Sequence, residues 1–232
     1  MAKHILLTGA SSGVGRELAI TLSNLGFTLS ICGKTSSKVQ TTLSKLKPNT
    51  PVYSGCFCLS DQQALNQFVT ESKKANGDID ILINCAGLNS SRTLAHQPQW
   101  QECTKMMEIN YFAPVRLVEL VLPSMLTKKD GIVLNVLSTT CLYANAGIAQ
   151  YTASKSALDM YTKVLRKELH ASGIKVLSVY PGGINTEFRS ESRPNYLNPE
   201  DVSEAIVSML QTKGNVHVHE LVIRPECESN FC

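Results

Sequence analysis

Short apolar runs alternate along the chain with longer segments whose apolar residues recur every three or four positions. The runs predict strands near residues 3–8, 27–32, 52–57, 79–84, 132–137, 175–180 and 218–223. The amphipathic segments predict helices near 14–25, 36–46, 61–75, 99–126, 148–172 and 199–211. Strands that alternate with helices imply a parallel sheet covered on both faces. The right-handed crossover rule turns this into a doubly wound α/β fold of about seven strands, with its binding crevice at the switch point of the strand order. One domain over residues 1–232 accommodates the pattern, since no internal repeat or low-complexity linker divides it.

The first strand runs into a glycine turn, Gly9-Ala-Ser-Ser-Gly13-Val-Gly15, and then into a helix with Leu18, Leu22 and Leu25 on one side. Glycines at such a turn let the backbone approach a phosphate, and the helix N-terminus adds unpaired N–H groups and the positive end of its dipole. The spacing differs from the commoner Gly-x-Gly-x-x-Gly, and helix–strand packing alone would also account for it. Further on, Tyr151 and Lys155 stand one helical turn apart, on one face and about 6 Å apart along the axis. A free tyrosine ionises near pH ~10, and a nearby cation favours its phenolate, bringing it toward the range useful for proton transfer. Ser138 lies upstream at the end of an apolar run, where its hydroxyl could orient a substrate oxygen. Taken alone, the pair also fits a half-buried tyrosine beside a solvated lysine.

Thr8-Gly-Ala-Ser-Ser-Gly-Val-Gly15, Asn84-Cys-Ala-Gly87, Asn110, Ser138, Tyr151-Thr-Ala-Ser-Lys155 and Pro181-Gly-Gly-Ile-Asn-Thr186 occur in order along the chain. In that order and spacing the sequence resembles the short-chain dehydrogenase/reductase family over residues 3 to 225 or so. The resemblance implies a Rossmann fold, an NAD(P)-dependent oxidoreductase, and a homodimer or homotetramer. It also implies roles. Tyr151 is the general acid in reduction and the base in oxidation; Lys155 lowers its pKa and binds the nicotinamide ribose. Ser138 polarises the substrate carbonyl, and Asn110 holds a water in a proton relay to the lysine. Gly9, Ser11, Ser12, Gly13, Val14 and Gly15 would cradle the dinucleotide, with Asn84, Ala86 and Gly87 at the end of the fourth strand. Pro181, Gly182, Ile184 and Thr186 would dock the nicotinamide carboxamide. The helix over 148–172 carries Ala157, Leu158, Tyr161, Leu165 and Leu169 as an apolar stripe, widened by Met160 and Val164. In the family such a helix forms a subunit interface; burial within the monomer is the competing explanation.

The fold usually places an acidic residue about 20 residues past the glycine loop, on the ribose 2′-OH of NAD. Between Glu17 and Asp61 this chain has no Asp or Glu, and Lys34 stands at the end of the second strand. A missing carboxylate removes repulsion against a 2′-phosphate and Lys34 supplies a compensating charge, which predicts NADP(H) as cofactor. A solvated turn lysine is the alternative for Lys34. In many relatives an aspartate accepts a hydrogen bond from adenine where this chain has Cys58, so adenine contacts would fall to backbone, Ser60 or Asp61.

Residues 187–198 match the substrate lid of the family, here short and charged, which argues against a large enclosed ligand such as a steroid. Leu88, Asn89, Leu142, Tyr143, Gly183 and Phe188 are the expected pocket lining. The leading reading is an NADP-dependent carbonyl reductase or alcohol dehydrogenase acting on a small or medium carbonyl or secondary alcohol. The alternatives are an isomerase or dehydratase that retains its cofactor, and a nucleotide-sensing protein without turnover. A net charge of +3 with no basic run gives no reason to expect nucleic acid. No apolar stretch approaches the ~20 residues of a membrane span, and the first apolar run breaks at Thr8-Gly9, so neither membrane nor signal peptide is expected. The eight cysteines show no metal-ligand spacing and several fall in predicted strands, as reduced, buried thiols of a cytoplasmic protein would, with no metal site. His217 and His219 alternate on the last predicted strand and would share a face.

Overall fold

Seven strands are present: β1 His4–Thr8, β2 Thr28–Gly33, β3 Val52–Cys56, β4 Ile81–Asn84, β5 Gly131–Val136, β6 Ile174–Pro181 and β7 Glu220–Ile223. All pair in parallel, in the order β3-β2-β1-β4-β5-β6-β7. The computed structural model describes residues 2–186, 188, 193–214 and 216–229. The helices are α1 Gly13–Asn24, α2 Ser36–Leu43, α3 Gln62–Asn76, α4 Trp100–Met107, α5 Ala113–Lys128, α6 Ala149–Glu168 and α7 Pro199–Leu210.

Each central strand is apolar on both faces because both are covered. Ile5 and Leu7 of β1 face one core with α1, α2 and α7, through Leu18, Leu22, Val202 and Ile206. Leu6 faces the other, with α3, α5 and α6, through Phe68, Leu117, Val121 and Leu165. The strand order reverses between β1 and β4, so their C-terminal ends diverge and open a crevice there.

The predicted helix over 99–126 is instead α4, a π turn at Glu108–Phe112 and α5. Pro114 lacks the N–H that would bond the Asn110 carbonyl in an α-helix, and its ring crowds that carbonyl. The Ala113 N–H reaches back to Glu108 O instead, the wider loop of a π turn. The whole rod, Trp100–Lys128, is apolar and long enough to span a membrane by length and composition, contrary to the sequence expectation. Leu117, Val118, Val121 and Met125 are nevertheless buried against the sheet. Two smaller expectations also change. β7 begins only at Glu220, so His217 and His219 precede the strand, with their rings 5.7 Å apart. Cys32 is buried in β2, but Cys56 at the end of β3 is exposed.

His4 is 2 % exposed at the start of β1. Its Nδ1 lies 2.9 Å from Gly77 O and its Nε2 2.8 Å from Ser30 Oγ. A carbonyl only accepts, so Nδ1 carries the hydrogen; in the neutral ring Nε2 then accepts from the Ser30 hydroxyl. Burial pushes its pKa below the ordinary value. The unfolded chain therefore takes up this proton first as pH falls. The His4 contribution to stability is complete above about pH 6.5 and is lost as pH drops below that value through the folded pKa. Urea midpoints measured from pH 7.5 to 5 are expected to decline more steeply for the wild type than for His4→Gln.

Candidate active site

The Gly9-to-Gly15 turn closes the C-terminal end of β1 in a conformation that only small residues permit. Gly9 has φ +76°, and a Cβ there would sit 2.8 Å from Ala86 Cα at the end of β4. Thr8 Oγ1 accepts the N–H groups of Cys85 and Ala86, each at 3.1 Å, and so locks the two strand ends together. At the N-cap of α1 the Ser12 side chain makes no capping bond, so the first-turn N–H groups remain for a ligand.

α6 brings the chemistry to the same crevice. Tyr151 and Lys155 are 9 % and 3 % exposed, one turn apart, and both line the cavity with Ser138. Lys155 Nζ donates to Val136 O at 2.8 Å, and burial pushes its pKa down to about 8. Gly87 faces this ammonium, since a Cβ there would lie 3.4 Å from Nζ. Ser138 Oγ accepts the Thr140 N–H at 3.2 Å. That contact fixes the side chain and leaves the hydroxyl hydrogen to be donated. Behind the wall, Asn84 Nδ2 donates to Asn135 Oδ1 and Asn135 Nδ2 to Thr162 Oγ1, both at 2.8 Å. This buried polar chain ties α6 to β4 and β5 below the Tyr151–Lys155 turn.

The cavity holds about 1010 Å³ and runs from Lys34 to Phe188. Gly9, Ser11, Ser12, Gly13, Val14, Gly15, Lys34, Ala86 and Gly87 line it, as do Pro181, Gly182, Gly183, Ile184 and Thr186. Leu88, Asn89 and Phe188 complete the expected lining. Four expected residues stand outside the wall. Asn84 is buried, with its Nδ2 bonded into the chain just described. Asn110 lies beneath it, where Oδ1 accepts Leu88 N–H at 2.7 Å and Nδ2 donates to Leu88 O at 2.8 Å and Ser154 Oγ at 2.9 Å. Tyr143 lies under the Arg224 guanidinium, 4.9 Å from ring centre to Cζ, and Leu142 is exposed. Of the options for adenine, neither Ser60 nor Asp61 is among the residues lining the cavity, and the Asp61 carboxylate caps α3, its Oδ1 accepting Ala64 N–H at 2.9 Å. Cys58 and Leu59 face the cavity there. The Cys58 thiol lies 3.1 Å from Ser60 Oγ; against burial, which raises its pKa, the Ser60 contacts and the charges of Lys34 and Lys105 bring it below the ordinary value.

Lys105, Tyr196, Arg193 and Glu228 also line the cavity and were not anticipated. None belongs to a spaced motif, and each reaches the site only through tertiary packing. Glu228 is the one carboxylate among the described lining residues, and it lies at the Gly183 end.

A parallel sheet with a glycine-lined crevice at its switch point, beside a buried Tyr–Lys turn, defines a Rossmann-type oxidoreductase scaffold. The short chain dehydrogenase family model matches residues 3–197, and the chain belongs to the short-chain dehydrogenase/reductase family. An uncharacterized oxidoreductase of Staphylococcus saprophyticus is 30 % identical over 230 residues, covering 96 % of this chain and 97 % of that protein. Among solved structures, the closed form of a serine dehydrogenase complexed with NADP+ matches with TM-score 0.89 and 25 % identity, over 97 % of this chain and 96 % of that one. An alcohol dehydrogenase of Thermococcus sibiricus complexed with 5-hydroxy-NADP has TM-score 0.89 at 20 % identity, covering 98 % of both chains, which is a likeness of fold.

Proposed function

We propose that this oxidoreductase catalyses reversible hydride transfer between NADP(H) and a small or medium carbonyl compound or its secondary alcohol. The observation that carries the reading is the burial of Tyr151 and Lys155 in one cavity with Ser138 and the glycine loop. The residues fit a dinucleotide. The crevice is large enough, the α1 N-terminus supplies N–H groups for a diphosphate, and Gly9 and Gly87 keep Cβ atoms out of its path. Lys34 is exposed at the far end with no carboxylate among the described lining residues near it, which supports NADP over NAD. The NADP-bound serine dehydrogenase points the same way.

Bound there, the nicotinamide supplies the hydride. Ser138 donates its hydroxyl hydrogen to the substrate oxygen and stabilises negative charge developing on it. Tyr151 delivers the proton to that oxygen in reduction and takes it back in oxidation. Lys155, charged below about pH 8, favours the phenolate side of that exchange. Asn110 holds the Leu88 backbone and Ser154 in register, and so sets the wall opposite α6. An isomerase or dehydratase that keeps its cofactor would leave NADPH unconsumed.

The test is a screen of aldehydes, ketones and oxo acids for NADPH oxidation. Turnover with NADPH at a kcat/KM well above that with NADH is expected. Absence of oxidation across the screen, or a preference for NADH, would refute the corresponding part of the reading. The protein is further proposed to be a homodimer or homotetramer. Leu158, Leu165 and Leu169 of the α6 stripe are buried within the chain, but its Met160 and Val164 edge is 60 % and 46 % exposed, and Trp100 and Phe112 are 76 % and 50 % exposed, which supports a partner over these apolar residues. A monomer in sedimentation at micromolar concentration would remove this part.

A further inference from the structure

Beyond β7 the chain turns at Pro225, whose carbonyl accepts the Glu228 N–H at 3.2 Å, and comes back over the crevice. Three contacts grip the segment that follows β6. Gly182 N–H donates to Ile223 O at 2.8 Å, Gly183 N–H donates to Glu228 Oε1 at 2.8 Å, and a Cβ on Gly182 would lie 3.0 Å from Pro225 Cδ. The Tyr196 ring packs against Gly183 and leaves no room for a side chain there. The carboxylate is itself oriented. Arg224 Nη2 lies 3.4 Å from Glu228 Oε2, and the same guanidinium covers Tyr143, in the loop that follows Ser138. The Cys227 thiol donates to Asn195 O at 3.2 Å and pins the lid to the same turn. One C-terminal turn thus touches the nicotinamide-side loop, the loop after the catalytic serine and the lid.

We propose that Glu228 is a positioning residue for cofactor binding: its carboxylate holds the Gly183 N–H and so fixes the Pro181–Thr186 segment at the nicotinamide end. The inference rests on the NADP(H) reading above. Three features favour a positioning task over simple tail anchorage. Glu228 is the one lining carboxylate among the described residues, it bonds a backbone group that itself lines the cavity, and both flanking glycines are closed to side chains. Nothing covalent is involved. A charge-assisted hydrogen bond at low exposure replaces the solvent that would otherwise bind this amide and loosen the loop.

The experiment measures NADPH affinity by dihydronicotinamide fluorescence, together with steady-state kinetics, for the wild type and for Glu228→Ala, Glu228→Gln and Glu228→Asp. Glu228→Ala is expected to weaken NADPH binding about tenfold, which corresponds to about 1.4 kcal/mol. Its KM for NADPH rises by about as much, while kcat at saturation changes less than about threefold. Glu228→Gln keeps an oxygen for the Gly183 N–H and is expected to restore most of the affinity. Glu228→Asp keeps the charge but withdraws it by one methylene and is expected to fall in between; it also carries the test should the alanine variant fail to fold. A folded alanine or aspartate variant with wild-type NADPH affinity overturns the proposal alone. A wild type that binds neither NADPH nor NADH overturns the cofactor reading and this proposal with it.

Discussion

Tyr151→Phe is expected to lower kcat for carbonyl reduction by about 10²- to 10⁴-fold, the usual worth of a positioned general acid. The substitution removes one oxygen from a ring that is 9 % exposed and lies 6.3 Å from the Phe188 ring, so packing is kept. Affinity for NADPH should stay near that of the wild type, because the glycine loop, Lys34 and Lys155 are untouched. The kinetic signature is thus a loss in kcat and in kcat/KM by the same factor, as for an interaction made only in the transition state. Ser138 still polarises the oxygen in this variant, so some residual turnover above background is expected. Stopped-flow kinetics with saturating NADPH separate the chemical step from product release. Turnover within about twofold of the wild type would place the proton donor elsewhere, since no general-acid role costs so little.

The elements of the fold were legible because each central strand is a short run buried on both faces, and such a run needs only its own composition to be recognised. Ile5-Leu6-Leu7 in β1 and Ile81-Leu82-Ile83 in β4 are of this kind. Element ends were less legible where a tertiary contact decided them. The predicted strand at 79–84 begins in the structure at Ile81, and just before it the Asp80 carboxylate is held by the His4 N–H at 2.9 Å and Lys128 Nζ at 3.3 Å. The break at Glu108–Phe112 follows from Pro114, which lies inside the helix expected over 99–126 and marks a break there; that the break takes the form of a π turn is what the sequence did not show.

The site divides in the same way. Residues on one element at fixed spacing, such as Tyr151 and Lys155 or Gly9 and Gly15, could be placed from the sequence. Glu228 could not, because it reaches Gly183 across 45 positions and belongs to no periodic segment. Asn84 and Asn110 were read as contacts of the cofactor or its relay, and they hold the wall from behind. A buried amide with a backbone or amide partner gives the same sequence signal as one facing a ligand. Tyr143 shows the converse, a residue at the expected loop position that turns toward Arg224.

Gly15→Ala is expected to be a strongly damaging single-methyl change for cofactor binding. A Cβ at Gly15 would overlap the Gly9 carbonyl oxygen and lie 2.7 Å from its carbon. Neither partner can yield. Gly9 has little free space on its side-chain side, where a Cβ would lie 2.8 Å from Ala86 Cα, and α1 is held by Leu18 and Leu22 in the core. The methyl therefore pushes the α1 N-terminus away from β1, along the line on which a diphosphate would approach. Overpacking of this kind typically costs about 1–3 kcal/mol, and here the strain falls on the cofactor loop. NADPH affinity is expected to drop by more than about tenfold, equivalent to 1.4 kcal/mol or more, with a lowered melting temperature. Gly26→Ala serves as the control. Its φ of +83° disfavours alanine, yet nothing lies within 4 Å of the added carbon. It should lose about 1 kcal/mol of stability through backbone strain and leave NADPH binding unchanged. If both variants lost stability equally and both kept wild-type affinity, the close approach of Gly15 to Gly9 would have no part in holding the dinucleotide. The glycine turn would then be a packing device alone.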